Sequence, residues 1–483
     1  MSGGEGVVME YEKFFIGGHW VSPATDKRVA VIGAATEESI GSAPEAATAD
    51  VDRAVSAAAV ALPAWSSLSV AQRSVYLRRF ADALAKRSAE IARRVSMQNG
   101  MPTLMSRPLE GLYPVGLLQY YADLAERLQV EELRPSSTGT TTLVRRLPVG
   151  VVGAIVPWNY PVTLSMMKIA PALVAGCTVV CKPSLETMLD SYLVAEAAEE
   201  AGIPAGVLNW IPGGREVGAY LAGHEGVDKV AFTGSTAAGR RVAEVCGKLL
   251  RPVSLELGGK SAALLLPDAD LAAFASAIPN VSMLNNGQTC FACTRILAPQ
   301  ARYDEVVEAV VAAVRALPVG DPLDSSTVVG PLASALQRER VEQYIQTGRQ
   351  EARLVCGGGR PAGLERGWFV EPTVFADVSN AARIAQEEIF GPVLAIVPYR
   401  DEVDAVAIAN DSAYGLGGTV WSADQERALT VARQVVSGTV GVNNYLLDMN
   451  APFGGVKASG LGREMGPESL AAYQVYNSIY LPS

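Results

Sequence analysis

The sequence predicts an α/β fold: two domains, each built on a mostly parallel sheet flanked by helices, with a small strand element set apart from both. Three observations carry this. From Val149 onward short β-rich runs alternate with helical ones, a second alternating series begins beyond residues 257–267, and two strand-like segments fit neither series. The chain has 483 residues, 49% hydrophobic and 19% charged, with 46 Gly and 28 Pro. At ~100–200 residues per domain that predicts more than one domain, and the composition is too apolar for disorder.

Before about residue 127 the chain reads as helices, with amphipathic Ala/Leu-rich runs at 50–65, 70–84 and 113–128. Residues 1–8 read as a leader ahead of the ordered chain and lack the basic and apolar regions of a secretory signal. The first series places strands at 149–157, 178–182, 207–211, 229–232, 253–257 and 262–266. Between them 165–175, 191–201, 216–222 and 236–250 read as helices. The second series has helices at 304–317, 337–352 and 401–410 and extended runs at 354–356, 393–397 and 438–442. Such alternation argues for βαβ units, with a ligand cleft expected where the two domains meet. The orphan segments, 130–147 and 474–481, are candidates for subunit pairing, because an exposed strand edge needs a partner.

Forty Lys+Arg against fifty Asp+Glu give a net charge of −10, which provides no pull toward nucleic acid or anionic membranes. The longest apolar stretches are broken by Pro or fall short of the ~18 residues of a membrane span. Six Cys scattered over this length make no disulfide framework, so a reducing, cytoplasmic setting is expected. With only His19 and His224 available, a His-rich metal centre or a Ser-His-Asp relay must draw on one of those two or be absent, and no metal is expected. Cys and carboxylates remain as the candidate workers.

Two phosphate-binding patterns fail. Gly258-Gly-Lys-Ser261 lacks the upstream Gly of a P-loop, and no G-x-G-x-x-G follows the early strands. A Gly-Ser-Thr turn in Phe232-Thr-Gly-Ser-Thr-Ala-Ala-Gly239 sits between a strand and a helix, where free N–H groups can hold a phosphate; an ordinary helix cap looks the same. Cys290 follows an apolar helix in a polar, Gly-containing turn, which suits a reactive thiol with a lowered pKa, whereas most lone Cys are inert core. Cys290 and Cys293 form a C-x-x-C, but no second ligand pair is spaced for zinc. Glu256 stands in an apolar, Gly-rich context where burial would raise its pKa toward that of a general base; a salt-bridged Glu is the plainer alternative.

Together these segments resemble the NAD(P)-dependent aldehyde dehydrogenase superfamily. The matching stretches are Pro157-Trp-Asn-Tyr-Pro161, Lys182-Pro-Ser184, Phe232-Thr-Gly-Ser-Thr236, Glu256-Leu-Gly-Gly-Lys260, Gly287-Gln-Thr-Cys290, Glu387-Glu-Ile-Phe-Gly-Pro392 and Pro452-Phe-Gly-Gly-Val-Lys-Ala-Ser-Gly460. The resemblance implies a Rossmann-type cofactor domain of residues 1–126 and 149–256 and an α/β catalytic domain of 257–442. It also implies a β oligomerisation element with the C-terminal tail, 127–148 and 443–483, and a homodimer or homotetramer.

By the same resemblance Cys290 is the nucleophile, Asn159 an oxyanion donor and Glu256 the base that hydrolyses a thioester, so the product is a free acid rather than a coenzyme-A ester. Pro157, Trp158, Lys182, Ser184, Gly234, Ser235, Leu257, Glu388 and Phe390 are the expected cofactor contacts, and Lys168 matches a Lys near the centre. Leu185 stands where strongly NAD-preferring members often carry a Glu. No barrier to NADP is then supplied at that position, but no Arg clamp replaces it, so NAD is expected with NADP as the alternative. Tyr113, Tyr160, Thr163, Met167, Leu284, Leu447 and Phe453 are the expected substrate lining. They are mostly apolar and point to an aliphatic or aromatic aldehyde; a semialdehyde is the runner-up, and a non-catalytic structural or binding member of the superfamily is the remaining alternative. Cys293 is either a redox partner that shields Cys290 or a small residue filling space.

Overall fold

The computed structural model describes residues 8–137 and 139–482; the leader expected at 1–8 therefore falls, but for Val8, outside the described residues. An eight-stranded sheet runs, from one edge to the other, through Gly460–Leu461, Val253–Glu256, Lys229–Thr233, Val151–Ile155, Thr178–Lys182, Leu208–Trp210, Phe14–Ile16 and His19–Val21. Its five inner strands, from Val253–Glu256 to Leu208–Trp210, are parallel, and the outer ones are antiparallel. Read in chain order, the parallel strands are arranged 3-2-1-4-5, the doubly wound order, whose winding reverses between Val151–Ile155 and Lys229–Thr233. The inner strands Val151–Ile155, Thr178–Lys182 and Lys229–Thr233 are buried throughout. That is why they read as continuous apolar runs rather than alternating ones. Each Val or Leu wholly buried there contributes ~1.5–3 kcal/mol relative to exposure.

A second, seven-stranded sheet runs through Arg353–Cys356, Thr373–Ala376, Val393–Tyr399, Arg295–Pro299, Ala262–Leu265, Gly418–Trp421 and Gly441–Val442. It is parallel except at its Arg353–Cys356 edge. The two orphan segments meet each other: Gln474–Leu481 lies antiparallel to Thr141–Pro148 over eight paired residues, with Glu131–Pro135 beyond it. The outer strand is exposed along its whole length.

Two expectations need correction. The region before residue 127 is not all helical, because Phe14–Ile16, His19–Val21, Arg28–Ile32 and Ser39–Pro44 are strands. Phe14–Ile16 is buried as a strand of the first sheet, and Arg28–Ile32 pairs with Ser39–Pro44 in a small separate sheet, so these short runs draw their order from tertiary pairing and not from a local period. The segment 130–147 is two strands, not one. Within the tail, Gly460–Leu461 pairs with Leu255 and Glu256 and forms an edge of the first sheet. Among the described residues no helix is long and apolar enough to cross a membrane.

Candidate active site

The cleft lies at the reversal point of the first sheet, where strand C-terminal ends leave room for a ligand. After Val151–Ile155 the chain turns through Pro157, Trp158 and Asn159 into the Pro161–Ala175 helix, which starts on a proline whose missing N–H costs nothing there. After Lys229–Thr233 it turns through Gly234 and Ser235 into the Thr236–Lys248 helix, and Val253–Glu256 ends on Glu256 itself. These ends, with Leu257, Gly258, Cys290, Gln337, Arg340, Glu388 and Phe390, enclose a cleft of about 240 Å³.

Several features suit a dinucleotide. Ser235 caps its helix by accepting the Ala238 N–H at 3.3 Å. A side chain at Gly239 would meet Leu257 at 2.4 Å, so this glycine lets the helix pack close to the sheet. The Trp158 and Phe390 rings stand edge to face, with centroids 5.4 Å apart. Phe390 holds a left-handed backbone, φ 63°, a conformation that costs ~1–3 kcal/mol and is often kept at ligand sites. The Glu388 carboxylate accepts the Gly259 N–H at 3.0 Å, and a Cβ at Gly258 would lie 2.3 Å from it. Burial pushes Glu388 up to about 7. Lys182 and Ser184 stand outside the cleft wall. The Lys182 ammonium donates to the Gly213 and Pro183 carbonyls at 2.5 and 3.0 Å, and burial lowers it to about 8; Ser184 bonds Glu186.

The loop that carries Cys290 is heavily anchored. Asn285, Asn286 and Gly287 are successively left-handed, at φ 51°, 61° and 74°, and a Cβ on Gly287 would sit 2.2 Å from the Gly391 carbonyl. Asn286 donates to the Gly100 and Pro331 carbonyls at 2.8 Å and accepts from the Gly330 N–H at 2.6 Å. Asn285 donates to the Asn159 carbonyl at 2.9 Å, and the Asn159 amide donates to the Gln288 carbonyl at 3.1 Å. Asn159 and Cys290 are thereby held on one wall.

The thiol itself departs from expectation. Burial pushes Cys290 well above its ordinary value, and the Glu388 and Glu256 carboxylates push it further, so the polar sequence flanks do not translate into a low-pKa sulfur. Cys293 is wholly buried, with Thr419 Oγ1 3.8 Å from its sulfur. Glu256 is 3% exposed and neither oxygen has a hydrogen-bond partner, although the Gly455 N–H is near enough to ease its charge slightly. Burial first, then Glu464, raises its pKa well above the carboxylate range, while Lys168 and Arg463 oppose them. The salt-bridged alternative for Glu256 is thus not what the fold provides: Lys168 pairs with Glu464 at 2.5 Å.

Of the expected substrate residues, none lines the cleft. Tyr160, Met167 and Phe453 are buried in one large apolar cluster, and Tyr113, Leu284 and Leu447 pack against it, as does Cys290. Cys290 therefore stands between the cleft and the apolar cluster. Thr163 is buried and its hydroxyl donates to the Leu109 carbonyl. Thr233, Gly258, Gln337 and Arg340 also line the cleft wall and Glu464 lies behind it, although none of them is a site candidate by sequence. Gln337 and Arg340 donate to the Phe390 and Glu388 carbonyls, both at 2.6 Å, from a helix that in sequence shows only ordinary amphipathicity.

The chain is similar to several known proteins. The chain is 60% identical over 477 residues to the geranial dehydrogenase of Castellaniella defragrans, covering 98% of this chain and all of the relative. It is 44% identical over 461 residues to a 3-succinoylsemialdehyde-pyridine dehydrogenase of a Pseudomonas species, covering 95% and 96%. Among solved structures, an aldehyde dehydrogenase of Mycobacterium tuberculosis complexed with NAD+ superposes with a TM-score of 0.96 at 48% identity, covering 98% and 99%. A mutant of aldehyde dehydrogenase C from Pseudomonas syringae, complexed with NAD+ and octanal, gives 0.94 at 38% identity, covering 97% and 96%. Residues 20–479 match the Aldehyde dehydrogenase family, and to that family the chain belongs.

Proposed function

We propose that the protein oxidises an apolar aldehyde to its carboxylic acid with NAD. The observation that carries this is the convergence of Cys290, Asn159 and Glu256 on one cleft, at the junction with an apolar cluster. Bound NAD supplies the hydride acceptor. Pro157, Trp158, Gly234, Ser235, Leu257, Glu388 and Phe390 would hold it, with Lys182 and Ser184 flanking them. The Cys290 sulfur, once deprotonated, adds to the aldehyde carbon to give a thiohemiacetal. One Asn159 amide hydrogen is engaged by Gln288, and the other is left for the oxyanion, beside the Cys290 N–H. After oxidation a thioester remains on Cys290. Glu256, buried and without a partner of its own, takes the proton from the attacking water.

The apolar substrate class rests on the hydroxyls around the cluster, which have internal partners. Tyr113 donates to the Met465 sulfur at 3.2 Å, Tyr160 bonds Thr289 at 2.6 Å, Thr163 bonds Leu109 and Tyr445 bonds Thr439. A substrate carboxylate would meet no free donor among them. The 60% identical geranial dehydrogenase and the octanal complex support the same class. A screen of geranial, octanal and succinate semialdehyde with NAD and NADP tests the reading. It predicts the highest kcat/KM for an apolar aldehyde with NAD; a semialdehyde far ahead of matched alkanals, or a clear NADP preference, overturns the corresponding part.

We assign cofactor binding to residues 1–126 and 149–256, the catalytic thiol to a domain of 257–442, and subunit pairing to 127–148 with 443–483. The exposed Glu131–Pro135 edge and the outward Tyr476 and Tyr480 support a homodimer or homotetramer. A thiol that must stay free supports a cytoplasmic setting.

A further inference from the structure

Glu110 is a wholly buried carboxylate that the reaction above does not use. It lies on a π-helical turn, Arg107–Leu112, just before the Tyr113–Ala125 helix. One oxygen accepts the Val162 N–H at 2.8 Å, and the other faces the Thr163 N–H at 3.4 Å. The neighbouring Leu109 carbonyl accepts the Thr163 hydroxyl. These contacts clamp the first turn of the Pro161–Ala175 helix, whose leading N–H groups have no partners within the helix.

That helix connects both halves of the chemistry. Asn159 and Tyr160, immediately ahead of it, bond the nucleophile loop at Gln288 and Thr289. Lys168, on its second turn, bonds Glu464 and Thr233 behind Glu256. Burial pushes the Glu110 carboxyl up to about 8 in spite of the two N–H contacts, and Asp190 adds to the rise. An apolar side chain of similar volume would be easier to bury there, so packing alone is a poor reason for a carboxyl at this position.

We propose that Glu110 is a positioning residue for the aldehyde oxidation: its bonds to Val162 and Thr163 fix where the helix begins, and so hold the Asn159 amide against the substrate oxygen at Cys290. The inference rests on the Cys290–Asn159–Glu256 reading. Glu110→Gln keeps one acceptor oxygen, and Glu110→Leu keeps volume but removes both. The test is the rate of the first turnover, followed as NADH and normalised to titratable Cys290, with NAD affinity measured by tryptophan fluorescence and folding by thermal melting.

The expected result is a rate lower by about 10- to 100-fold in Glu110→Leu, a smaller loss in Glu110→Gln, and an NAD Kd close to that of the unaltered protein. An unaltered rate per titrated Cys290 in a folded Glu110→Leu protein overturns the proposal. Should that variant not fold, an unaltered rate in Glu110→Gln does so instead. Cys290→Ala is the companion control: aldehyde oxidation persisting there removes the underlying reading as well, whatever the Glu110 variants show.

Discussion

Lys168 and Glu464 form an ion pair of 2.5 Å with both side chains withdrawn from water. Thr233, which also receives a hydrogen bond from Lys168, is the strand partner of Glu256. The cation thus lies near the proposed base but bonds its neighbour. Glu256 feels Glu464 as repulsion and Lys168 as attraction, in that order after burial.

Opposite shifts in the pH profile follow. In the proposed reaction, hydrolysis of the thioester needs ionised Glu256, so its rate is expected to climb with pH through that group's pKa. Glu464→Gln removes the repulsion and frees the ammonium, moving the rising limb to lower pH; Lys168→Met removes the attraction and moves it to higher pH. Steady-state kcat against pH for the three proteins checks this, and limbs moving in the same direction contradict it. Breaking the buried pair from either side also destabilises the fold, by ~3–5 kcal/mol.

The elevated Cys290 thiol predicts slow alkylation of the cofactor-free protein at neutral pH. Only the thiolate reacts, and a raised pKa lowers its share, so the rate with iodoacetamide keeps rising into the alkaline range. Glu388→Gln removes a negative neighbour and accelerates the reaction at fixed pH. A rate that is already flat below neutral pH, or slower alkylation in the Gln variant, runs against this account.

Asn159→Ala is expected to lower kcat by about 100- to 1,000-fold, the usual loss for one oxyanion donor, with NAD affinity unchanged. Stopped-flow NADH formation and fluorescence titration separate the two effects. A loss confined to NAD binding would assign Asn159 to the cofactor instead.

Gly287→Ala tests the anchored loop. The position combines φ 74° with a Cβ 2.2 Å from the Gly391 carbonyl, so at least ~1–3 kcal/mol of strain is expected, together with displacement of Cys290. Denaturant unfolding and Cys290 titration measure both, and a variant as stable and as active as the original protein argues that the loop can relax.

Where a residue's role is set within a short stretch, it was legible in sequence. The buried strands Thr178–Lys182 and Lys229–Thr233 stood out as apolar runs, and Trp158, Asn159 and Ser235 follow strands directly. Pairings across long separations were not. Lys168 and Glu464 are 296 residues apart, and Gln337 and Arg340 reach the cleft only because their helix packs beside Glu388–Phe390. The thiol's elevation was hidden for a similar reason, since polar neighbours in sequence give no measure of burial in space. The short N-terminal strands carry too few residues to show a period.

The central claim, a covalent intermediate on Cys290 hydrolysed through Glu256, is tested most directly by intact-mass analysis of Glu256→Gln mixed with NAD and an apolar aldehyde. Close to one NADH per subunit is expected in a rapid burst, then near-arrest, with the acyl mass added on Cys290. Sustained turnover at the unaltered rate with no adduct would contradict it.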